Sequence, residues 1–93
     1  MSTKKDKFTN EDHYYMNHAI NLAAERNGFT GLNPSVGCVI VKNNKILSIG
    51  QTGFNGRPHA ESVAIKACKK HDLKGSTIYV TMEPCTHYGK TPP

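Results

Sequence analysis

Between Asn10 and Arg26 the apolar side chains Tyr15, Met16, Ala19, Ile20 and Ala23 recur at helical spacing, which predicts a helix with one buried face. Thr9, followed three positions later by Asp12, supplies the start signal of a capping box. Asn27-Gly28 ends the helix, Gly28 being suited to a left-handed C-cap. A loop containing Gly, Asn and Pro runs from Phe29 to Pro34. Val36-Gly37-Cys38-Val39-Ile40-Val41 is then an apolar, largely β-branched run, which predicts a central strand buried on both faces. The polar Lys42-Asn43-Asn44-Lys45 makes a turn, and a second strand from Ile46 to about Gly50 pairs with the first as a hairpin.

Gly53, Gly56 and Pro58 fill the next loop. A helix from about Ala60 to Lys70 shows Val63, Ala64, Ala67 and Cys68 as its apolar face, and Leu73-Lys74-Gly75 closes it. Thr77 to Thr81 is a third strand, after which the chain ends in a Pro-containing loop. The order α-β-β-α-β suits an α/β domain of three layers, with helices packed on a mixed sheet. Residues 1–8 read as a flexible basic tail and 9–93 as the domain, since 93 residues leave no room for a second one.

Composition narrows the function classes. Twelve Lys and Arg against seven Asp and Glu give a net charge of +5. Lys4, Lys5 and Lys7, offset by Asp6, place part of that in the tail. The remainder is an ordinary solvated surface, or a site for one small anionic substrate, and argues against nucleic acid as the partner. No apolar run approaches the ~18–20 residues of a membrane span, and no apolar stretch follows the basic N-terminus as in a secretory signal. Three cysteines, Cys38, Cys68 and Cys85, are too few and odd in number for a disulfide framework. The expected compartment is therefore the reducing cytoplasm.

Two short clusters carry candidate chemistry. Pro58-His59-Ala60-Glu61 opens the second helix, and Glu83-Pro84-Cys85 follows the third strand. A His and a Cys brought together suit zinc, and a nearby Glu that does not bind the metal can move protons. Helix N-termini also point unpaired N–H groups at bound anions. Taken alone, each has a plainer explanation: His-x-Glu arises by chance in many chains, and Pro-Cys after a strand is commonly a buried thiol at a turn. Their joint presence in one helix-strand unit favours the zinc deaminases of nucleobases, whose signature is His-x-Glu followed by Pro-Cys-x-x-Cys; the first half matches fully and the second only in part. Cys38, in mid-strand, and Cys68, on the apolar helix face, read as core thiols.

Three segments make the resemblance specific: Asn33-Pro34-Ser35-Val36-Gly37-Cys38-Val39-Ile40-Val41, His59-Ala60-Glu61, and Tyr79-Val80-Thr81-Met82-Glu83-Pro84-Cys85-Thr86-His87-Tyr88-Gly89-Lys90-Thr91-Pro92-Pro93. With these the chain resembles the riboflavin-biosynthesis pyrimidine deaminases of the cytidine-deaminase-like superfamily. Thr86-His87-Tyr88 follows Pro84-Cys85, where tRNA adenosine deaminases and cytidine deaminases have a second Cys after two residues. The resemblance implies the α/β/α sandwich of that superfamily. It also implies hydrolytic removal of an amino group from 2,5-diamino-6-ribosylamino-4(3H)-pyrimidinone 5′-phosphate, with release of ammonia. In the family this domain is commonly fused to a C-terminal NADPH-dependent reductase, so NADPH is implied only if such a domain exists. By the same resemblance His59 and Cys85 are zinc ligands and Glu61 is the proton shuttle between the attacking water and the departing amino group. Asn33 hydrogen-bonds the substrate, and His87 and Lys90 hold the pyrimidine and its ribose phosphate. For Lys90 the plainer alternative is a solvated loop charge.

Two departures from the family pattern stand out. The family usually has a His seven residues before the zinc His, where this chain has Thr52, which carries no charge and receives no role. The family's third zinc ligand is a Cys immediately after Thr-Pro-Pro, and this chain ends at Pro93. The expectation is an N-terminal part of a longer homo-oligomeric enzyme, inactive in isolation, with the outer edge of the third strand unpaired. Two rivals remain: a deaminase of another base, including one within tRNA, and a non-catalytic zinc-binding remnant.

Overall fold

The computed structural model of the chain describes residues 8–82 and, along the backbone, 87–91. The first helix, α1, spans Asn10–Glu25. Both halves of its capping box form: Asp12 N–H donates to Thr9 Oγ1 at 3.1 Å, and Thr9 N–H to the Asp12 carboxylate at 2.9 Å. Gly28, at φ 92°, turns the chain away beyond the helix end. Strands β1 (Gly37–Lys42) and β2 (Lys45–Gln51) form the expected antiparallel hairpin. Its two-residue turn places Asn43 at φ 53° and Asn44 at φ 61°. These left-handed angles match the twist of the strands, and Asn reaches them at lower cost than other residues with a side chain. The register slips between Ile40, opposite Ser48, and Val41, opposite Ile46, which leaves Leu47 as a bulge.

Strand β3 (Thr77–Met82) pairs with the other side of β1. The segment expected as a Pro-containing loop instead returns as strand β4 (His87–Thr91), antiparallel to β3. The strand order is β2-β1-β3-β4, and every pair is antiparallel, so the described sheet is not mixed. The outer edge of β3, expected to be unpaired, is covered for a physical reason: its exposed N–H and C=O groups need partners, and the returning chain supplies them.

Helices cover both faces of β1. Val39 and Val41, with Tyr79 of β3, pack against Tyr15, Met16 and Ala19 of α1. Cys38 and Ile40, alternating with them, pack against Ala60 and Ala64 of the second helix, α2 (Ala60–Ala67). Val39 and Ile40 are fully buried, and each such side chain contributes roughly 1.5–3 kcal/mol relative to exposure. The result is the three-layer α/β arrangement.

Two glycines let the helices touch the sheet backbone. A Cβ on Gly37 would stand 1.9 Å from the Ala19 carbonyl oxygen, and one on Gly50 2.2 Å from that of Ala60. The second contact seats the N-terminus of α2.

The helix expected over 60–70 is shorter. It ends at Cys68, whose backbone is extended (φ −94°, ψ 140°), and a separate turn, α3 (Lys70–Leu73), follows. Cys68 and Leu73 are five residues apart, so one continuous helix would point them in nearly opposite directions. The break lets both pack on the α2-side core. Ala67, expected on the apolar face, is exposed. Among the described residues no helix is long and apolar enough to cross a membrane.

Candidate active site

The loop after β2 holds a 3-10 turn, Phe54–Gly56, and delivers His59 as the N-cap of α2 with an extended backbone (φ −72°, ψ 151°). The His59 side chain makes no cap bond to this helix, and the positive end of the helix dipole lies at its first turn. His59 and Glu61 are both exposed, while Ala60 between them is fully buried against the sheet. Glu61 lies in the first turn, where a carboxylate is favoured by the dipole. Its charge also reaches into the core. Burial first, and the Glu61 carboxylate second, push the Cys38 thiol pKa up to about 12. Cys38 therefore stays protonated and is a core thiol rather than a ready metal ligand. Cys68, half-buried, packs against the same cluster.

Asn33 sits in a loop tied at nearly every residue. Asn33 Nδ2 donates to the Gly56 carbonyl at 3.1 Å, and Thr30 Oγ1 donates to the Asn33 carbonyl at 2.6 Å. Ser35 Oγ donates to the Ala23 carbonyl at the end of α1. Val36 N–H donates to Thr52 Oγ1 at 2.9 Å, and Gly37 N–H to Thr81 Oγ1 at 2.9 Å. The loop carrying Asn33 and the loop carrying His59 thus lock together through Asn33–Gly56, and again through the Asn55 N–H to Phe29 carbonyl bond at 2.8 Å.

Sequence reasoning left Thr52 without a role, and the structure supplies one. Thr52 is 1 % exposed. Its hydroxyl accepts from Val36 N–H and lies 3.3 Å from the Pro34 carbonyl, so it fastens the start of β1 to the end of β2. His87 and Lys90 fall on β4, in register with Met82 and Tyr79 respectively. Cys85 lies outside the described residues, as do Glu83 and Pro84. Among the described residues no three His, Cys, Asp or Glu side chains are grouped to hold a metal ion.

An open cleft of about 490 Å³ beside β2 is lined by Arg26, Gln51, Phe54, Arg57, Pro58 and Val63, and includes none of the expected site residues. Arg26 is committed there: its guanidinium stacks 4.1 Å over the Phe54 ring, and Nε and Nη2 both donate to Gln51 Oε1.

Residues 9–88 match the family model for the cytidine and deoxycytidylate deaminase zinc-binding region. The chain belongs to that deaminase family. Within it, the chain is 49% identical over 82 residues to the riboflavin biosynthesis protein RibD of Aquifex aeolicus, covering 88% of this chain and 23% of that protein. It is 47% identical over 83 residues to the diaminohydroxyphosphoribosylamino-pyrimidine deaminase of Buchnera aphidicola subsp. Schizaphis graminum, covering 89% of this chain and 56% of that protein. The fold superposes on Acinetobacter baumannii RibD with a TM-score of 0.67 at 43% identity, over 89% of this chain and 23% of that one. The resemblance to riboflavin-pathway deaminases and the α/β fold both hold, while the chain spans about a quarter of the length of the RibD proteins it matches.

Proposed function

We propose that the protein carrying this deaminase-family chain removes an amino group hydrolytically from 2,5-diamino-6-ribosylamino-4(3H)-pyrimidinone 5′-phosphate in riboflavin biosynthesis. The observation that supports this most is the placement of His59 and Glu61 at the N-terminus of α2, in a chain about half identical to proteins named for that pathway or that deaminase.

The donor chemistry fits zinc. His59 is exposed and makes no cap bond, and Cys38, buried and protonated, does not compete for the metal. His59 and Cys85 would hold the ion, together with the third protein ligand that follows Thr-Pro-Pro in the family. When bound, zinc supplies Lewis acidity that brings water deprotonation toward neutral pH. Glu61 takes a proton from the attacking water and delivers it to the departing amino nitrogen, so that ammonia leaves neutral. Asn33 hydrogen-bonds the substrate, and His87 and Lys90 hold the pyrimidine and ribose phosphate, Lys90 as a point charge. Action in the cytoplasm as a homo-oligomer belongs to the same reading, and NADPH enters only with a reductase domain.

The test is ammonia release by the zinc-loaded native polypeptide across a panel of this pyrimidine phosphate, cytidine, dCMP and tRNA. Turnover of the pyrimidine phosphate alone is expected. A second reading, deamination of a cytosine nucleotide, draws on the family model's own description, and preferential turnover of dCMP or cytidine would replace the first reading with it.

A further inference from the structure

We propose that Gly56 is a positioning residue for this reaction and that Asn33 meets the substrate as a hydrogen-bond acceptor. The inference rests on the deaminase reading above. A backbone carbonyl can only accept, so the 3.1 Å contact to Gly56 O identifies the Asn33 atom facing it as the amide nitrogen. Oδ1 then points the other way, and among the described residues it takes no hydrogen bond.

The amide does not exchange its two ends, because a flip would set Oδ1 against the Gly56 carbonyl oxygen, two acceptors with no proton between them. The backbone that carries it is held as well: Asn33 N–H donates to the Thr30 carbonyl at 3.2 Å, and Thr30 Oγ1 donates back to the Asn33 carbonyl. A free Asn amide could rotate to donate or accept as the ligand required. An anchored one selects a substrate N–H or O–H and leaves a keto oxygen facing Oδ1 without a donor. Aminopyrimidine ribose phosphates offer both kinds of donor, in the amino substituents and the sugar hydroxyls.

Only glycine fits at position 56. Its φ of 95° lies in the left-handed region, and a Cβ there would stand 2.4 Å from Asn33 Nδ2 and 2.8 Å from the Thr30 carbonyl oxygen. Gly56 is also three residues from His59, so one short loop both aims the Asn33 amide and delivers the α2 N-cap.

The test compares Gly56→Ala, Asn33→Ala, Asn33→Asp and the Gly56→Ala/Asn33→Ala pair in the zinc-loaded native polypeptide. Each single change should raise KM for the pyrimidine phosphate about tenfold or more while kcat changes little, the pattern of a contact held equally in ground and transition states. The pair should be no worse than Asn33→Ala, because Gly56 acts through Asn33. Asn33→Asp keeps acceptors but cannot donate to Gly56 O, so it should behave as Asn33→Ala. Losses that multiply in the pair, or a wild-type KM in Asn33→Asp, overturn the proposal.

If Gly56→Ala does not fold, Asn33→Asp and side-chain amide NMR of the wild type decide. The Asn33 carboxamide should exchange slowly and show scalar coupling to the Gly56 carbonyl, and a freely exchanging, uncoupled amide overturns the anchor. The NMR needs no substrate. Absent turnover with an intact anchor would therefore overturn the deaminase reading, and the acceptor role with it, but not the Gly56–Asn33 anchor.

Discussion

The Cys38 thiol, in the second position of β1, feels the Glu61 carboxylate in the first turn of α2. One side chain is fully buried and the other exposed, so the charge that serves the surface also helps to keep a core thiol protonated, second to burial itself. Metal binding needs the thiolate. Cys38→Ala should therefore retain the zinc of the wild-type protein, while His59→Ala should lose it, as read by metal analysis of the purified native polypeptide. Loss of zinc in Cys38→Ala would place the thiol in the metal site.

Alkali should weaken the fold through the same thiol. The folded pKa, about 12, lies above the ordinary thiol value of 9.0. The protonated form is thus favoured by folding, and its contribution is full below pH 9. Stability then falls by up to about 1.4 kcal/mol per pH unit as pH rises toward 12. Denaturant titrations at pH 8 and pH 10.5 should show the loss in the wild type and less of it in Cys38→Ala. Equal losses would contradict the assignment.

Tyr79 makes a second such link. Its hydroxyl donates to Asp12 at 2.5 Å, both residues being buried, and so ties β3 to the first turn of α1. Burial, then this bond and the Asp12 charge, raise the phenol pKa. Tyr79→Phe leaves a buried carboxylate short of a donor, which should cost roughly 1–3 kcal/mol at neutral pH. The variant should also lose a component of alkaline sensitivity that begins above pH ~10. An unchanged melting temperature would show that Asp12 is satisfied without Tyr79.

Thr52 gives a purely structural prediction. Thr52→Val keeps the shape but removes the acceptor of the Val36 N–H, so the variant should be destabilised by roughly 1–3 kcal/mol. Substrate KM, measured below the melting transition, should change little, because the hydroxyl is turned toward Val36 and Pro34. A large KM change with unaltered stability would place Thr52 in the substrate site.

Much of this was legible in the chain because local and global signals agree. Thr9 and Asp12 cap α1, Asn43-Asn44 turns the hairpin, and the Val36–Val41 run reads as a strand covered on both faces. The break at Cys68 was not legible, since no Gly or Pro marks it; it follows from the need of Cys68 and Leu73 to reach one core. Strand β4 was hidden by Gly89 and the following prolines, and its pairing is set by the open edge of β3. At the site, His59, Glu61 and Asn33 were named from short motifs. The roles of Thr52 and Gly56 depend on contacts across 16 and 23 residues, which spacing along the chain does not reveal.

On the proposed mechanism, Glu61 moves the proton in a zinc-dependent deamination. The direct measurement is ammonia release from the pyrimidine phosphate by the zinc-loaded native polypeptide and its Glu61→Ala variant, with zinc quantified in the same samples. Equal zinc and a loss of at least about a hundredfold in kcat are expected for the variant. Retained turnover at equal zinc would rule out Glu61 as the proton carrier.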